Sequence, residues 1–270
     1  MIRIFTDRAF AVDNAVLFFS MVAFVPVFFF ASVYSQVSLG YDANSAGLYL
    51  LLFFGGFAPA AQVGGRVLDN RGAKPAIVAG SALGAVGFAM WAWKLTDLSL
   101  GSQWWAILIA GAGVGLLLGP ASTDATNRAI NASNGEVTGI TQTVRNYGSA
   151  LGLAVLGTVL GNVFTSRLTS SFEGFGLPPD RAAELAATAA AGGGSGGASS
   201  ADLAGVPAAV AQQVGGAVAN DFAVATQAVL IGMAIVLGIS FLVALAHPGG
   251  RVMQEKVELD GAPVPSPDLA

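Results

Sequence analysis

Apolar and polar positions in this chain alternate on the scale of a membrane rather than of a globule. Nearly uncharged apolar runs cover residues 15–35, 46–63, 75–93, 104–121, 147–164 and 222–246. A run of about 18 or more such residues reads as a helix long enough to cross a bilayer. The expected fold class is therefore an all-α membrane protein with six transmembrane helices. The chain divides accordingly into a short segment 1–14, helices one to five over 15–164, a connecting stretch 165–221, a sixth helix over 222–247 and a tail 248–270.

The connecting stretch has a different character from the spans. Its run AAAGGGSGGASS over 189–200 cannot bury a core and reads as a flexible linker. Ala-rich segments flank it, PPDRAAELAATAAA with Asp180 as a cap and VPAAVAQQVGGAVAND with Pro207 near its first turn. Two weak surface helices around a loose centre are expected. The tail, rich in Pro, Gly and acid, is expected to be disordered.

Orientation follows from the cations, because short cytoplasmic loops are enriched in Lys and Arg. With the N-terminus inside, the inner segments hold Arg3, Arg8, Arg66, Arg71, Lys74, Arg128, Arg145, Arg251 and Lys256, and the outer side holds Lys94, Arg167 and Arg181. Six spans with both termini in the cytoplasm of a multi-pass inner (plasma) membrane protein satisfy that bias. Tyr34 and Tyr41 bracket the first outer loop, and Trp91, Trp93, Trp104 and Trp105 bracket the second. They are expected to be interfacial anchors, with Lys94 snorkelling into water.

Composition agrees and narrows the chemistry. Of 270 residues, 54% are hydrophobic and 10% charged, where soluble domains carry about 25% charged residues. A net charge of -4 does not suit nucleic acid. Cysteine is absent and His247 is the single histidine, so no disulfide, thiolate nucleophile or histidine metal cluster is available, and neither metal nor cofactor is expected. No paired catalytic carboxylates, nucleophile constellation or phosphate loop appears, and an enzyme is not expected. MIRIFTDRAF has the positive flank of a signal peptide, but the apolar run behind it exceeds the roughly 7–15 residues of such a region, and it reads as a retained first span.

Two kinds of feature stand out within the spans. Small residues let membrane helices approach closely, and the fifth span carries Gly148, Gly152, Gly157 and Gly161. Such a stripe is a helix interface, and a smooth one also lets helices rock. In the fourth span Gly115 and Gly119 form a GxxxG pair, and Pro120 removes a backbone hydrogen bond and can kink the helix. Asp124 and Arg128 stand four apart on one helical face; the pair is either a surface ion pair of little consequence or, near hydrocarbon, a functional one.

The stretch GGRVLDNRGAKP, residues 64–75, joins the second and third spans. Arg66, Arg71 and Lys74 are what an inner loop wants, but topology does not explain Asp69 or the order Gly65, Asp69, Gly72, Lys74. That order resembles the loop signature of the major facilitator superfamily, with Asn70 and Ala73 where basic residues are usual and Arg71 displaced by one. LGYDANSAGLYLL, GAGVGLLLGP and TQTVRNYGSALGLAVLGTV are similar to the fourteen-helix drug:proton antiporter branch, as is the long loop before the last helix. GLLLGP also looks like part of the antiporter signature of that family's fifth helix, but it lies in the fourth span and lacks the closing glycines, so packing and a kink are its expected roles.

The resemblance implies one half of a two-half transporter working by alternating access, with the substrate cavity between halves. In the family the loop aspartate caps a helix of the opposite half and engages charges on the fourth helix of its own. Mapped here, Asp69 meets Arg128, itself held by Asp124, in a conformational latch that includes Gly65, Arg71, Gly72 and Lys74. Implied partners are the lipid bilayer, a small hydrophobic or cationic substrate, a proton, and either a missing N-terminal half or a second half-size chain. Since no span carries an acid or histidine near mid-depth, and Asp13 and Asp124 lie near the inner surface, the proton-coupling carboxylate is expected in the other half. Phe18, Met21, Phe24 and Phe28 recur along the first span and either line the cavity or face lipid; Arg145 is a further lining candidate. The expectation is the C-terminal half of a multidrug efflux antiporter; a non-transporting scaffold or regulatory half is the alternative.

Overall fold

The computed structural model describes residues 7–128, 134–191 and 208–250, and all its regular structure there is helical. The helices are α1 (Arg8–Val37), α2 (Ala43–Arg71), α3 (Ala73–Leu95), α4 (Leu100–Arg128), α5 (Asn134–Gly174), α6 (Pro179–Ala191) and α7 (Ala208–Leu245). All but α6 are long and apolar enough to cross a membrane. α1, α3 and α5 run away from the end where the first helix starts, the basal end, and α2, α4 and α7 return to it from the apical end.

The helices overrun the apolar stretches because polar residues at their ends cap or continue them. The Asp7 carboxylate accepts from the amides of Ala9 and Phe10 at 2.8 and 3.2 Å, so α1 starts at Arg8 rather than near residue 15. Asp42 starts α2 in the same way, accepting from the Ser45 amide at 3.1 Å. Between α2 and α3 there is hardly a loop. Gly72 alone separates them, with φ +82° and its N–H on the Leu68 carbonyl at 2.9 Å, a conformation that disfavours any side chain.

Close backbone approach sets the packing. A Cβ at Gly111 or Gly115 would land on the carbonyls of Phe53 and Phe57, which fixes α4 against α2. On α5, Gly148 and Gly152 meet the Phe18 and Val22 carbonyls of α1, while Gly157 touches only the edge of Phe30 at 4.0 Å and Gly161 has open space. The expected Gly115–Gly119 pair is corrected. Gly119 is exposed with nothing within 4 Å, because it points away from the face that carries Gly111 and Gly115. Pro120 is buried, and α4 continues through it to Arg128.

At the apical end the anchor assignment divides. Trp93 and Trp104 are exposed, 68% and 48%, as interfacial residues should be. Tyr34 and Trp91 are instead buried in a network spanning four helices. Tyr34 Oη donates to the Leu95 carbonyl at 2.7 Å, and Gln103 Nε2 donates to Tyr34 Oη at 2.9 Å. Tyr49 Oη donates to Gln103 Oε1 at 2.8 Å, and Trp91 Nε1 donates to Tyr49 Oη at 3.1 Å. Each polar atom of this quartet finds a partner, which lets aromatic side chains lie fully inside.

The connecting stretch is more ordered than its composition predicts. α5 runs on to Gly174, α6 folds back on it and buries Ala182 and Ala186, and the second surface helix is the start of α7 itself. Ser171 Oγ donates to the buried Asp221 at 2.7 Å, and Ser38 Oγ donates to the Ala219 carbonyl at 2.8 Å, tying this cap to the bundle. Most of the glycine–serine run falls in 192–207, outside the described residues.

Candidate functional site: a buried charge cluster at the basal end

Three helices deliver ionisable side chains to one buried point. Because α1 begins at Arg8, Asp13 already lies within the packed part of the helix and is 0% exposed. Asp124 sits one turn before the end of α4 at 1%. His247 follows the end of α7 and turns inward, also at 1%.

Asp124 is the hub. Its Oδ2 accepts from Arg128 Nε at 2.7 Å, the i,i+4 pair that helical spacing predicts, and lies 3.1 Å from His247 Nε2. Asp13 Oδ1 is 3.3 Å from the same imidazole nitrogen, yet neither oxygen of Asp13 has a hydrogen-bond partner among the described residues. Arg128 also donates to the carbonyls of Gly249 and Gly250 at 2.9 and 3.2 Å. The first residues of the expected disordered tail, 248–250, are therefore described and held; 251–270 lie outside the described residues.

The imidazole is caught between opposed demands. Burial disfavours its charged form, but the hydrogen bonds and negative charges of Asp124 and Asp13 outweigh burial and push the His247 pKa up to about 9. On the other ring nitrogen, the Gly249 N–H donates to Nδ1 at 3.0 Å, which requires Nδ1 to be without a proton. In this arrangement the ring is neutral, with its hydrogen on Nε2 facing the two carboxylates.

Asp13, Asp124 and His247 present ligand atoms within 4.8 Å of one another, close enough to share a cation. The chemistry suits a proton better than a metal. A metal on Nε2 would need the hydrogen on Nδ1, against the Gly249 donor, and Asp124 Oδ2 is already held by a guanidinium.

Unpaired polar atoms extend this layer towards α5. Asn14 Oδ1, Thr141 Oγ1 and Arg145 Nε are buried without a partner among the described residues. Gly148 opposes Phe18 and Gly152 opposes Val22, a register that puts Asn14 level with residue 144, between Thr141 and Arg145. Buried polar groups without partners are rare, so a shared level for Asp13, Asn14, Thr141 and Arg145 marks this part of the α1–α5 contact as polar space.

Comparison with known proteins agrees with the helical pattern. The family model described as Major Facilitator Superfamily matches residues 3–153, more than half of the chain. The chain belongs to the major facilitator superfamily. Among its relatives, the cephamycin export protein CmcT of Amycolatopsis lactamdurans is 37% identical over 148 residues, covering 51% of this chain and 29% of that protein. The multidrug transporter protein MdtP of Bacillus subtilis (strain 168) is 26% identical over 193 residues, covering 68% of this chain and 34% of its own length. The chain thus spans about a third of the length of these relatives. Membership in this superfamily agrees with the six helices that are long and apolar enough to cross a membrane.

The residues that resemble the superfamily's loop signature sit around the α2–α3 junction, some of them on the helices themselves. Gly72 is the junction residue, Lys74 is half-buried in the first turn of α3, and Arg71 is exposed. Gly65 lies within α2 with nothing near it. Asp69 is exposed in the last turn of α2, and no contact joins it to Arg128 among the described residues. Of the proposed latch, Asp124 and Arg128 are brought together.

The cavity candidates also divide. Met21 is buried against Gly148 in the α1–α5 contact, so it packs rather than lines. Phe18 is half-buried, with its ring edge-on to Phe19 at 5.4 Å. Phe24 stacks on Phe57 and Phe28 on Phe54, at 5.5 and 5.2 Å between centroids, forming an aromatic face shared by α1 and α2. Arg145 is half-buried in α5.

Sequence reading missed the role of Asp13 and His247. The signal was present in AFAVDNAVLFF, where an acid is enclosed by apolar residues on both sides and stands inside a helix once Asp7 is taken as the cap. For His247 the signal was weaker, a histidine between the last apolar run and Pro-Gly-Gly.

Proposed function

We propose that this chain is the C-terminal half of an efflux transporter that works by alternating access and exports small hydrophobic or cationic drugs or metabolites in exchange for protons. The names of both relatives, a cephamycin export protein and a multidrug transporter, support export of such compounds. In this reading the membrane is the inner (plasma) membrane and the basal end is cytoplasmic, where most cations lie.

The observation that carries the reading is the incompleteness of two helices. Only 17% of the most apolar window of α2 and 22% of that of α5 are buried, against 56% for α1 and 61% for α4. Their uncovered faces are not uniformly greasy, since Gln62 on α2 and Gln142, Thr143 and Asn146 on α5 are exposed. Amides and hydroxyls facing lipid are costly, whereas a second half or a wet cavity would satisfy them. The partner is an N-terminal half, missing from this chain, or a second half-size chain, docked across α2 and α5.

Asp69 supports the same arrangement. An acid in the last turn of a helix opposes the helix dipole, so its own helix gives no reason for its presence. The N-terminus of a helix on the opposite half would. Asp69→Asn, assayed with the complete two-half transporter in vesicles, is expected to lower drug efflux at least tenfold while leaving assembly of the halves intact. Unchanged efflux would reject the latch.

A further inference from the structure

The basal cluster is one proton short of neutrality, and its geometry shows where that proton goes and what it displaces. With Nδ1 of His247 accepting from Gly249, the ring is uncharged, and of the two buried carboxylates beside it Asp124 is bonded to a cation, Arg128, while Asp13 is bonded to none among the described residues. The Asp13 carboxylate, 0% exposed, has no hydrogen bond among the described residues. A buried ionised carboxylate in that condition is costly, and a positive charge 3.3 Å away is what it lacks.

We propose that Asp13, Asp124 and His247 form a proton-binding site, that the proton enters on His247 Nδ1, and that its arrival releases the 247–250 turn from the ring. The two events are linked by one atom. Nδ1 either accepts the Gly249 N–H at 3.0 Å or carries a proton; it cannot do both. Loading the site makes His247 an imidazolium facing both carboxylates through Nε2, and leaves Nδ1–H in search of an acceptor where a donor now stands. Docking of the turn and binding of the proton therefore oppose each other by the same free energy, whichever is taken as cause.

The turn is built to respond. Gly249 and Gly250 have φ of +79° and +91°, and their carbonyls are the ones that Arg128 holds. Releasing the turn would also free one hand of Arg128, the residue with which the latch aspartate Asp69 is expected to engage. The charged groups that bear on His247 from the packed elements are Asp13 of α1, Asp124 and Arg128 of α4, and Lys74 of α3, whose Cδ would lie 3.6 Å from a Cβ on Gly249. On α5, Arg145 lies one residue from the level of Asn14. This inference leans on the proton-antiport reading for the use made of the proton, but the site itself is testable without transport.

His247 is the only histidine in the sequence, so histidine-labelled protein in nanodiscs, purified on a tag without histidine, gives a single imidazole spectrum. At pH above the titration, the nitrogen shifts should show the Nε2–H tautomer, with Nδ1 as an acceptor. On acidification the ring should become an imidazolium, and Asp13→Asn should lower the midpoint by about 1 pH unit or more through loss of an opposite charge. Gly249→Ala, strained at a positive φ, should raise the midpoint because the competing donor is disturbed. An Nδ1–H tautomer in the wild-type chain overturns the proposal outright, before any variant is needed. A Gly249→Ala midpoint equal to the wild-type value overturns the link to the turn. If no vesicle efflux is found for the assembled transporter while these shifts appear, the antiport reading fails and the proton site stands.

Discussion

The bundle has a buried polar quartet at each end, and they are built on opposite principles. The apical quartet, Tyr34, Tyr49, Trp91 and Gln103, is neutral and every polar atom is paired. The basal quartet, Asp13, Asp124, Arg128 and His247, is ionic, and one of its carboxylates lacks a hydrogen bond among the described residues. Both cross-link several helices. A saturated neutral network has one good arrangement and holds four helices in register, whereas an ionic one that lacks a charge has at least two. The difference places the fixed end of this half at the apical side and the adjustable end at the basal side. That division suits the alternating access proposed above, in which contacts on one side must form and break once per cycle.

The sharpest way to break the comparison is Asp124→Ala. It leaves Arg128, whose side chain is 7% exposed, and His247 without their shared acceptor. Removing one partner of a buried pair costs about 3–5 kcal/mol, and thermal unfolding in detergent should show a loss of that order. A double change to Asp124→Leu with Arg128→Leu should recover much of it, since the Arg128 cation is then no longer buried without its carboxylate and His247 still faces Asp13.

Next in size is the pH dependence. The His247 pKa is raised from 6.5 to about 9 in the folded protein, so folding favours the protonated ring, the state in which the 247–250 turn is proposed to leave Nδ1. The stabilisation is fully present below about 6.5, the unfolded value, and is lost as pH rises through about 9. Its upper bound is about 3 kcal/mol, from roughly 1.4 kcal/mol per pH unit. Stability should therefore fall between pH 6.5 and 9.5 in the wild-type chain, and His247→Ala should flatten that slope. A Gln103 variant should retain it, because the apical quartet holds no group that titrates in this range. Equal slopes in wild type and His247→Ala would remove the ionic character claimed for the basal end.

Gln103→Leu tests the other half of the comparison. It deprives Tyr49 Oη of its acceptor, and the Tyr34 hydroxyl and the Leu95 carbonyl of a donor, all of them buried. A loss of about 1–3 kcal/mol is expected, the same at pH 6 and pH 8. Transport by the assembled protein should suffer through instability alone and recover at lower temperature.

Much of this architecture was legible in the chain, and the two ends show why some was not. The six spans follow from apolar runs, and the Asp124–Arg128 pair follows from i,i+4 spacing. Burial did not follow. Tyr34 and Trp91 lie at the ends of their spans, where an anchor and a buried network residue look alike, because the acceptor that decides between them, Gln103, comes from another helix. Asp13 and His247 are 234 residues apart, a pairing no local pattern encodes. The α5 and α7 extensions were hidden for another reason: their Ala, Gly and Ser content signals weak helices in isolation, while a shared core of Leu168 and Phe172 on α5, Ala182 and Ala186 on α6, and Val214 and Val218 on α7 stabilises them together.

The smallest predicted effect separates charge from burial as the cause of the contrast. The apical end has an ion pair of its own, Lys94 to Asp97 at 3.4 Å, with Lys94 Nζ also 4.6 Å from the centroid of the Trp93 ring. Its side chains are 30% and 43% exposed, so water already solvates both charges. Lys94→Gln should cost no more than about 0.5 kcal/mol, and less still in high salt. Asp124→Ala at the basal end breaks a pair of the same formal type and should cost several times as much. If the two changes cost the same in parallel unfolding measurements, the basal cluster is not the desolvated charge store described here, and the two ends differ only in composition.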